Sequence, residues 1–169
     1  MPTSTAPVLV AACGNLLAGD DAFGPLVAEQ LRAQPVPGLE VVDLGMKPAG
    51  LTYHLEGRQA LILVDAALAT PELPGGQLVE APFESPEWPQ LVRDATLSSH
   101  GLSLAHELQL ARRLRLLPPH VHLIAVTVRE TTMGQPMCET TRTLVASAAE
   151  RIVQLASRYL GTSGESCRA

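Results

Sequence analysis

The stretch PVLVAACGNLLAGDDAFGP, residues 7–25, decides the fold because it joins an apolar run directly to a helical pattern. Val8–Cys13 is a short continuous apolar run, which is typical of a parallel strand covered on both faces. A helix is predicted from about Asp21 to Ala33, because apolar residues recur on one face at helical spacing: Phe23, Leu26, Val27 and Leu31. A strand followed by a helix indicates a crossover unit and therefore a parallel sheet.

The same alternation continues along the rest of the chain. Further strands are predicted at residues 39–44, 59–65, 77–81 and 120–128. A short helix is predicted at 49–56, and longer helices at 101–115 and 140–160. We therefore expect an α/β fold: a single three-layer domain over residues 1–169, with a twisted, mostly parallel five-stranded sheet, helices on both faces and a frayed tail at about 161–169.

The charge and cysteine content narrow the classes of function. The 12 basic and 17 acidic residues give a net charge of −5, which argues against a nucleic acid or an anionic membrane surface as partner. Three cysteines without C-x-x-C spacing favour a reducing compartment. Since no signal peptide or membrane-spanning run is evident, we expect a cytoplasmic protein with no membrane partner. A monomer is the default expectation, because the sequence shows no long exposed apolar stripe.

Acidic residues occur where the predicted strands end. Asp20 and Asp21 follow the first strand, and Asp65 ends the third. Parallel sheets bind ligands outside the carboxyl ends of their strands, and His100, just before a helix, is expected at the same edge. One alternative is that the paired aspartates cap the following helix, and capping of a turn is the alternative for Asp65. A phosphate loop is disfavoured, since G-x-G-x-x-G is absent and two negative charges would repel phosphate.

Other catalytic arrangements find little support in the sequence. The segment that begins at His106 lacks the second histidine of H-E-x-x-H, and residues 101–105 match a nucleophile elbow only loosely. Cys13 lies in an apolar strand, where packing is its simplest role. Two carboxylates and an imidazole remain, and this set suits a divalent metal such as Ni²⁺ or Zn²⁺. Three protein ligands leave the site incomplete, so a partner could share the metal.

Four segments, in this order and spacing, carry a family resemblance: GNLLAGDDAFGP, ALILVDAA, SSHGLSL and RETTMGQPMCETTRTLV. Together they resemble the [NiFe]-hydrogenase maturation endopeptidases, from about residue 7 to residue 160. The resemblance implies one α/β domain that removes a C-terminal extension from the hydrogenase large-subunit precursor after nickel insertion.

The resemblance also implies roles for particular residues. The family's metal-binding carboxylates and histidine correspond to Asp21, Asp65 and His100, which are thereby expected to bind or sense nickel held by the large subunit and to take part in cleavage. Asp20 and Asn15 are expected to cap or to support these ligands. The cofactor is then nickel supplied by the substrate, with no organic cofactor.

The sequence also departs from the family pattern and leaves other functions open. Where the family often has a G-T-x-G-like loop after the second strand, this chain reads MKPAG, residues 46–50. That loop is expected to help recognise the substrate, so the change leaves the particular hydrogenase open. One alternative function is a nonenzymatic, metal-dependent chaperone of the large subunit. A small flavin-binding domain is another alternative function, and the paired aspartates argue against it.

Overall fold

A computed structural model describes residues 5–83, 85 and 100–160 of the chain, with only the backbone described for residues 100–103. The predicted tail at 161–169 lies outside the described residues. The strands are β1 Val8–Cys13, β2 Leu39–Gly45, β3 Ala60–Leu68, β4 Leu78–Pro82 and β5 His120–Val128. The helices are α1 Phe23–Ala33, α2 His100–Arg113 and α3 Glu139–Leu160, and two 3₁₀ turns span Gly19–Ala22 and Leu51–His54.

The five strands form one sheet in the order β2-β1-β3-β5-β4. The first four of these strands pair in parallel, and β4 is antiparallel to β5. The predicted α/β class with a mostly parallel five-stranded sheet is confirmed. Because the shared direction puts the carboxyl ends of β1, β2, β3 and β5 at one edge, this edge is where ligand-binding residues are expected.

Each face of the sheet is covered by a separate apolar core, because side chains alternate between the faces along every strand. One core joins α1 and α3 to even-numbered residues of β1, β3 and β5, such as Val10, Ile62 and Ile124. The other joins α2 and the 3₁₀ turn Leu51–His54 to odd-numbered residues, such as Leu61 and Leu63. The burial of both faces explains why the central strands read as continuous apolar runs.

The boundaries differ from the sequence predictions in places that concern the site. The helix predicted from Asp21 begins as the 3₁₀ turn Gly19–Ala22 and becomes α-helical at Phe23. The third strand was predicted to end at Asp65, which is wrong: β3 continues to Leu68, because β5 still offers a paired neighbour up to Val128. The helix predicted at 49–56 is only the 3₁₀ turn Leu51–His54. Within the described residues, no helix is long and apolar enough to cross a bilayer.

Candidate functional site

Asp65 lies where β3 passes the end of its neighbour. The pairing of β1 with β3 ends at Ala12 and Val64, while β3 remains paired with β5, where Asp65 is opposite Ala125. Asp65 therefore lies within β3 but just beyond the last residue of β3 that pairs with β1. This position puts it at the carboxyl edge of the sheet. By alternation, its side chain belongs to the sheet face covered by α2.

Two glycines allow the turn carrying Asp21 to fold back against β1. A Cβ on Gly14, whose φ is +143°, would lie 2.1 Å from the Asp21 carbonyl oxygen. A Cβ on Gly24 would lie 2.0 Å from the Cys13 carbonyl oxygen. Only glycine fits such close backbone approaches. The glycines around the paired aspartates therefore serve to pack the start of α1 against the strand end, and they leave Asp21 buried.

Asp21 and Asp65 form a buried pair of interacting carboxylates. Their exposed fractions are 4% and 6%. Burial raises the pKa of Asp65 from 3.8 to about 7; the hydrogen bond donated by the Ala66 N–H opposes this increase, and the negative charge of Asp21 adds to it. A carboxyl group with such a pKa is about half protonated near neutral pH. A bound cation would displace that proton.

Cys13 adjoins the carboxylate pair, although the sequence indicated only a packing role for it. Its thiol is buried, and burial raises its pKa well above 9.0, with further increases from the charges of Asp65, Asp43 and Asp21. The thiol therefore stays protonated and is a poor nucleophile. Sequence reasoning did not place Asp43 near the site, since that proximity depends on the pairing of β1 with β2.

Asp20 and Asn15 organise the loops around this edge. Ala18 and Ala22 occupy the N-cap positions of the 3₁₀ turn and α1, so the alternative that the aspartates cap the following helix is wrong. Instead, the Asp20 carboxylate accepts a 2.8 Å hydrogen bond from the Cys138 N–H, just before α3. The Asn15 side-chain oxygen accepts a 3.0 Å hydrogen bond from the Leu17 N–H.

His100 is the first residue of α2, and its side chain lies outside the described part of the chain. Helix α2 ends at Arg113, and β5 begins only seven residues later, at His120. The C-terminal end of α2 therefore lies near the amino end of β5. The start of α2 is therefore directed towards the carboxyl edge of the sheet, on the face to which Asp65 belongs. The backbone is compatible with the predicted grouping, and the position of the imidazole stays a prediction.

Two carboxylates among the described residues are candidate metal ligands. Among them, no group of three or more His, Cys, Asp and Glu side chains is arranged to hold an ion. Asp21 and Asp65 offer carboxylate oxygens, which suit a divalent cation. Two buried carboxylates of this kind fit a metal whose remaining ligands come from elsewhere, such as His100 or a bound protein.

Comparison with known proteins gives the family. Residues 25–157 match the HycI family, described as hydrogenase maturation protease. The chain belongs to this family. The matched range contains Asp65 and His100, whereas Asp21 precedes it. Family membership assigns the protein to the proteases of hydrogenase maturation.

Individual proteins share the sequence or the fold of this chain. Protein FrxA of Pyrococcus furiosus is 27% identical over 139 residues, covering 81% of this chain and 96% of FrxA. The [NiFe] hydrogenase maturation protease HybD from Thermococcus kodakarensis superposes with a TM-score of 0.71 at 25% identity, over 88% of this chain and 98% of that one. The hydrogenase maturating endopeptidase HybD from E. coli has the same fold, with a TM-score of 0.79, 24% identity and coverages of 89% and 92%.

Proposed function

We propose that this protein is an endopeptidase that removes the C-terminal extension of a [NiFe]-hydrogenase large-subunit precursor after nickel insertion. Asp21, Asp65 and His100 contact the nickel that the precursor carries. The observation that carries the proposal is the buried Asp21–Asp65 pair at the carboxyl edge of the sheet. Family membership supports the protease activity.

In this proposal, the carboxylate pair favours precursor that carries nickel. Two buried carboxylates cannot both ionise cheaply, because each loses hydration and repels the other. A divalent cation brought by the precursor removes both costs, since it displaces the proton and neutralises the pair. A nickel-free precursor brings no such charge, so it gains no comparable stabilisation. The pair thereby distinguishes precursor that carries nickel from precursor that does not.

Contact with the nickel also positions the bond to be cut. Holding a peptide carbonyl in a reactive geometry lowers the barrier by up to about 7 to 11 kcal/mol. A water polarised beside the metal would then attack the carbonyl carbon, and the C–N bond would break as the leaving nitrogen takes up a proton from that water. Attack by a neighbouring carboxylate instead would give an anhydride, which water then opens. The Cys13 thiol takes no part as nucleophile, because it is buried and protonated.

A metal-dependent chaperone is the second candidate function. It is favoured by one observation: Cys13, the cysteine beside the carboxylate pair, is buried and has a raised pKa, so it supplies no thiolate nucleophile. Such a protein would bind the loaded large subunit and release it intact. Family membership favours the protease.

The mass of the large subunit separates these functions. Purified protein is incubated with nickel-loaded and with nickel-free precursor, and the precursor is weighed by mass spectrometry before and after. We expect the loaded precursor to lose one C-terminal peptide and the nickel-free precursor to stay intact. An unchanged mass of the loaded precursor supports the chaperone, and equal cutting of both forms removes the nickel-sensing role.

A further inference from the structure

A cavity opens at the amino edge of the sheet, where β3 and β5 begin, and we call it the amino-edge cavity. Its volume is about 380 Å³, which is within the usual range for small-molecule sites. The end of β4, the end of α2, the start of β5 and the last turn of α3 all contribute to its lining. The side chains that matter below are Phe83, Arg112, Leu117, His120, His122 and Tyr159.

The amino-edge cavity is separate from the carboxylate pair. His120 begins β5, and five residues further along the strand Ala125 is opposite Asp65. Because a parallel strand rises by about 3.3 Å per residue, these two places are roughly 16 Å apart along the sheet. The cavity therefore lies outside the metal-binding edge, and what it binds does not depend on the proposed function.

Tyr159 holds both imidazoles of the cavity in place. Its hydroxyl lies 2.7 Å from the Nε2 atom of His122, at hydrogen-bond distance. The His120 ring stacks on the Tyr159 ring, with centroids 4.7 Å apart and an angle of 26° between the planes. His120 is exposed, so its imidazole is accessible from the cavity. A donor that is fixed before binding loses little conformational freedom when a ligand arrives.

The surroundings of His122 keep its imidazole neutral in the free protein. Burial lowers the pKa of His122 from its ordinary value of 6.5. Its Nδ1 atom is buried without a hydrogen-bond partner, so a second proton on the ring would have no acceptor. His122 therefore orients Tyr159, while His120 is the imidazole that can present a positive charge to a ligand.

The described lining of the amino-edge cavity carries basic groups and no carboxylate. Arg112 contributes a guanidinium from α2, and β5 contributes the two imidazoles. Two more arginines, Arg113 and Arg115, follow within three residues of Arg112 in the chain. An anion is favoured at such a place, although the whole chain has a net charge of −5.

The charges behind the lining preserve this positive balance. One carboxylate and three basic groups act on His122: Glu80, His120, Arg158 and Arg151. The Glu80 carboxylate accepts a 2.6 Å hydrogen bond from the Arg151 guanidinium, so these two opposite charges largely offset each other. Arg158 and a protonated His120 then dominate the local field, which attracts an anion.

We propose that the amino-edge cavity binds a small organic oxyanion, with a phosphate or carboxylate head on an apolar body. The Arg112 guanidinium donates to the head, because its planar fork matches two oxygens of either group. His120 donates a further N–H when it is protonated. Phe83, Leu117 and the ring of Tyr159 offer apolar surface to the body. The ligand thereby meets charge on one side and apolar side chains on the other.

Titration with phenyl phosphate tests the proposal. The ring C–H signals of His120 and His122 are followed by NMR at about pH 6, where histidine side chains take up protons, and at constant ionic strength. We expect saturable shifts of the His120 signals. Arg112→Gln should raise the dissociation constant at least about tenfold. Arg113→Gln removes the same charge from the same helix outside the described lining, so this matched control should bind like the wild type.

Calorimetry on a second pair of variants tests the imidazole. His120→Gln should weaken the binding of phenyl phosphate several-fold at about pH 6 and much less at about pH 8, where the wild-type ring is neutral as well. His106→Gln, at an exposed histidine in the middle of α2, is its control and should bind like the wild type. A loss of affinity in His120→Gln that is equal at both pH values would overturn the assignment of a charged His120 donor.

Three further probes separate the parts of the ligand. Phenol lacks the charge and inorganic phosphate lacks the apolar body, so each should bind at least several-fold more weakly than phenyl phosphate. Benzoate carries the alternative head, and whichever of benzoate and phenyl phosphate binds more tightly identifies the head group. Equal binding of phenol would overturn the oxyanion, and equal binding of inorganic phosphate would overturn the apolar body.

Two results would overturn the cavity as a binding site. One is the lack of any saturable shift with either organic anion up to about 10 mM. The other is equal weakening by Arg112→Gln and Arg113→Gln, which would assign the effect to general surface charge. Melting temperatures of all four variants verify folding, which should be unaffected because these side chains are exposed.

Discussion

Replacement of Asp65 by Asn tests the energetics of the buried pair. The substitution is nearly isosteric, and the new side-chain oxygen can still accept the 2.8 Å hydrogen bond from the Ala66 N–H. The pKa of Asp65 rises from 3.8 to about 7 because the carboxyl is buried. At about 1.4 kcal/mol for each tenfold change in proton affinity, this increase corresponds to about 4 kcal/mol.

The size of this stability difference depends on pH. Below about pH 4, Asp65 is protonated in both states and the wild type keeps its full stability. Between about pH 4 and pH 7, the unfolded chain releases the proton while the folded chain keeps it, so the stability of the wild type falls as the pH rises. Above pH 7 the loss is complete. Asp65→Asn carries no charge and avoids this loss.

Urea denaturation of both proteins at several pH values gives the measurement. The Asn variant should exceed the wild type in free energy of unfolding by about 4 kcal/mol at pH 8, and by under about 1 kcal/mol at pH 4. Glu29→Gln, at an exposed carboxylate of α1, is the control and should leave the pH dependence unchanged. A difference between wild type and Asp65→Asn that is equal at both pH values would refute the reasoning.

Three further substitutions test the contacts that hold the edge and the sheet together. Gly24→Ala should destabilise the fold by about 3 kcal/mol, since its Cβ would clash with the Cys13 carbonyl 2.0 Å away; an unchanged melting temperature would contradict this packing. Asp20→Ala should cost about 1 kcal/mol and speed hydrogen exchange at the Cys138 amide, which loses its 2.8 Å acceptor; unaltered exchange would exclude the contact. Arg58→Met should cost about 3 kcal/mol by urea denaturation, because the buried guanidinium donates to two carbonyls and a carboxylate; a loss within error of zero would show that these bonds are not net stabilising.

The sheet could be predicted from the sequence because its strands are apolar on both faces. Runs such as Val8–Cys13 and the start of β3 have no solvent-facing positions, so composition alone indicates central parallel strands. The end of β3 was misplaced because a charge usually marks a strand end. Here Asp65 lies inside the strand, and pairing with β5 determines where the strand stops.

The candidate site was predictable only in part. Acidic residues at the ends of two predicted strands singled out Asp21 and Asp65, which are both buried, with the charge of Asp21 acting on Asp65; their role as metal ligands stays a prediction. The bond between Asp20 and Cys138 joins residues 118 positions apart, so no local pattern could reveal it. The exposure of apolar loop residues was equally unpredictable. Nothing in a loop sequence distinguishes a methionine that will be buried from one that is exposed, such as Met133. The place of the His100 side chain stays a prediction.

The rate of cutting of nickel-loaded precursor tests the central claim most directly. Asp21→Ala, Asp65→Ala and His100→Ala are each compared with the wild type, with folding verified by melting temperature. His106→Ala, an exposed histidine on the same helix as His100, is the matched control. We predict that each of the three substitutions lowers the rate by about a hundredfold or more, while the control cuts at the wild-type rate. Wild-type rates in all three variants would contradict the claim that these side chains meet at the nickel.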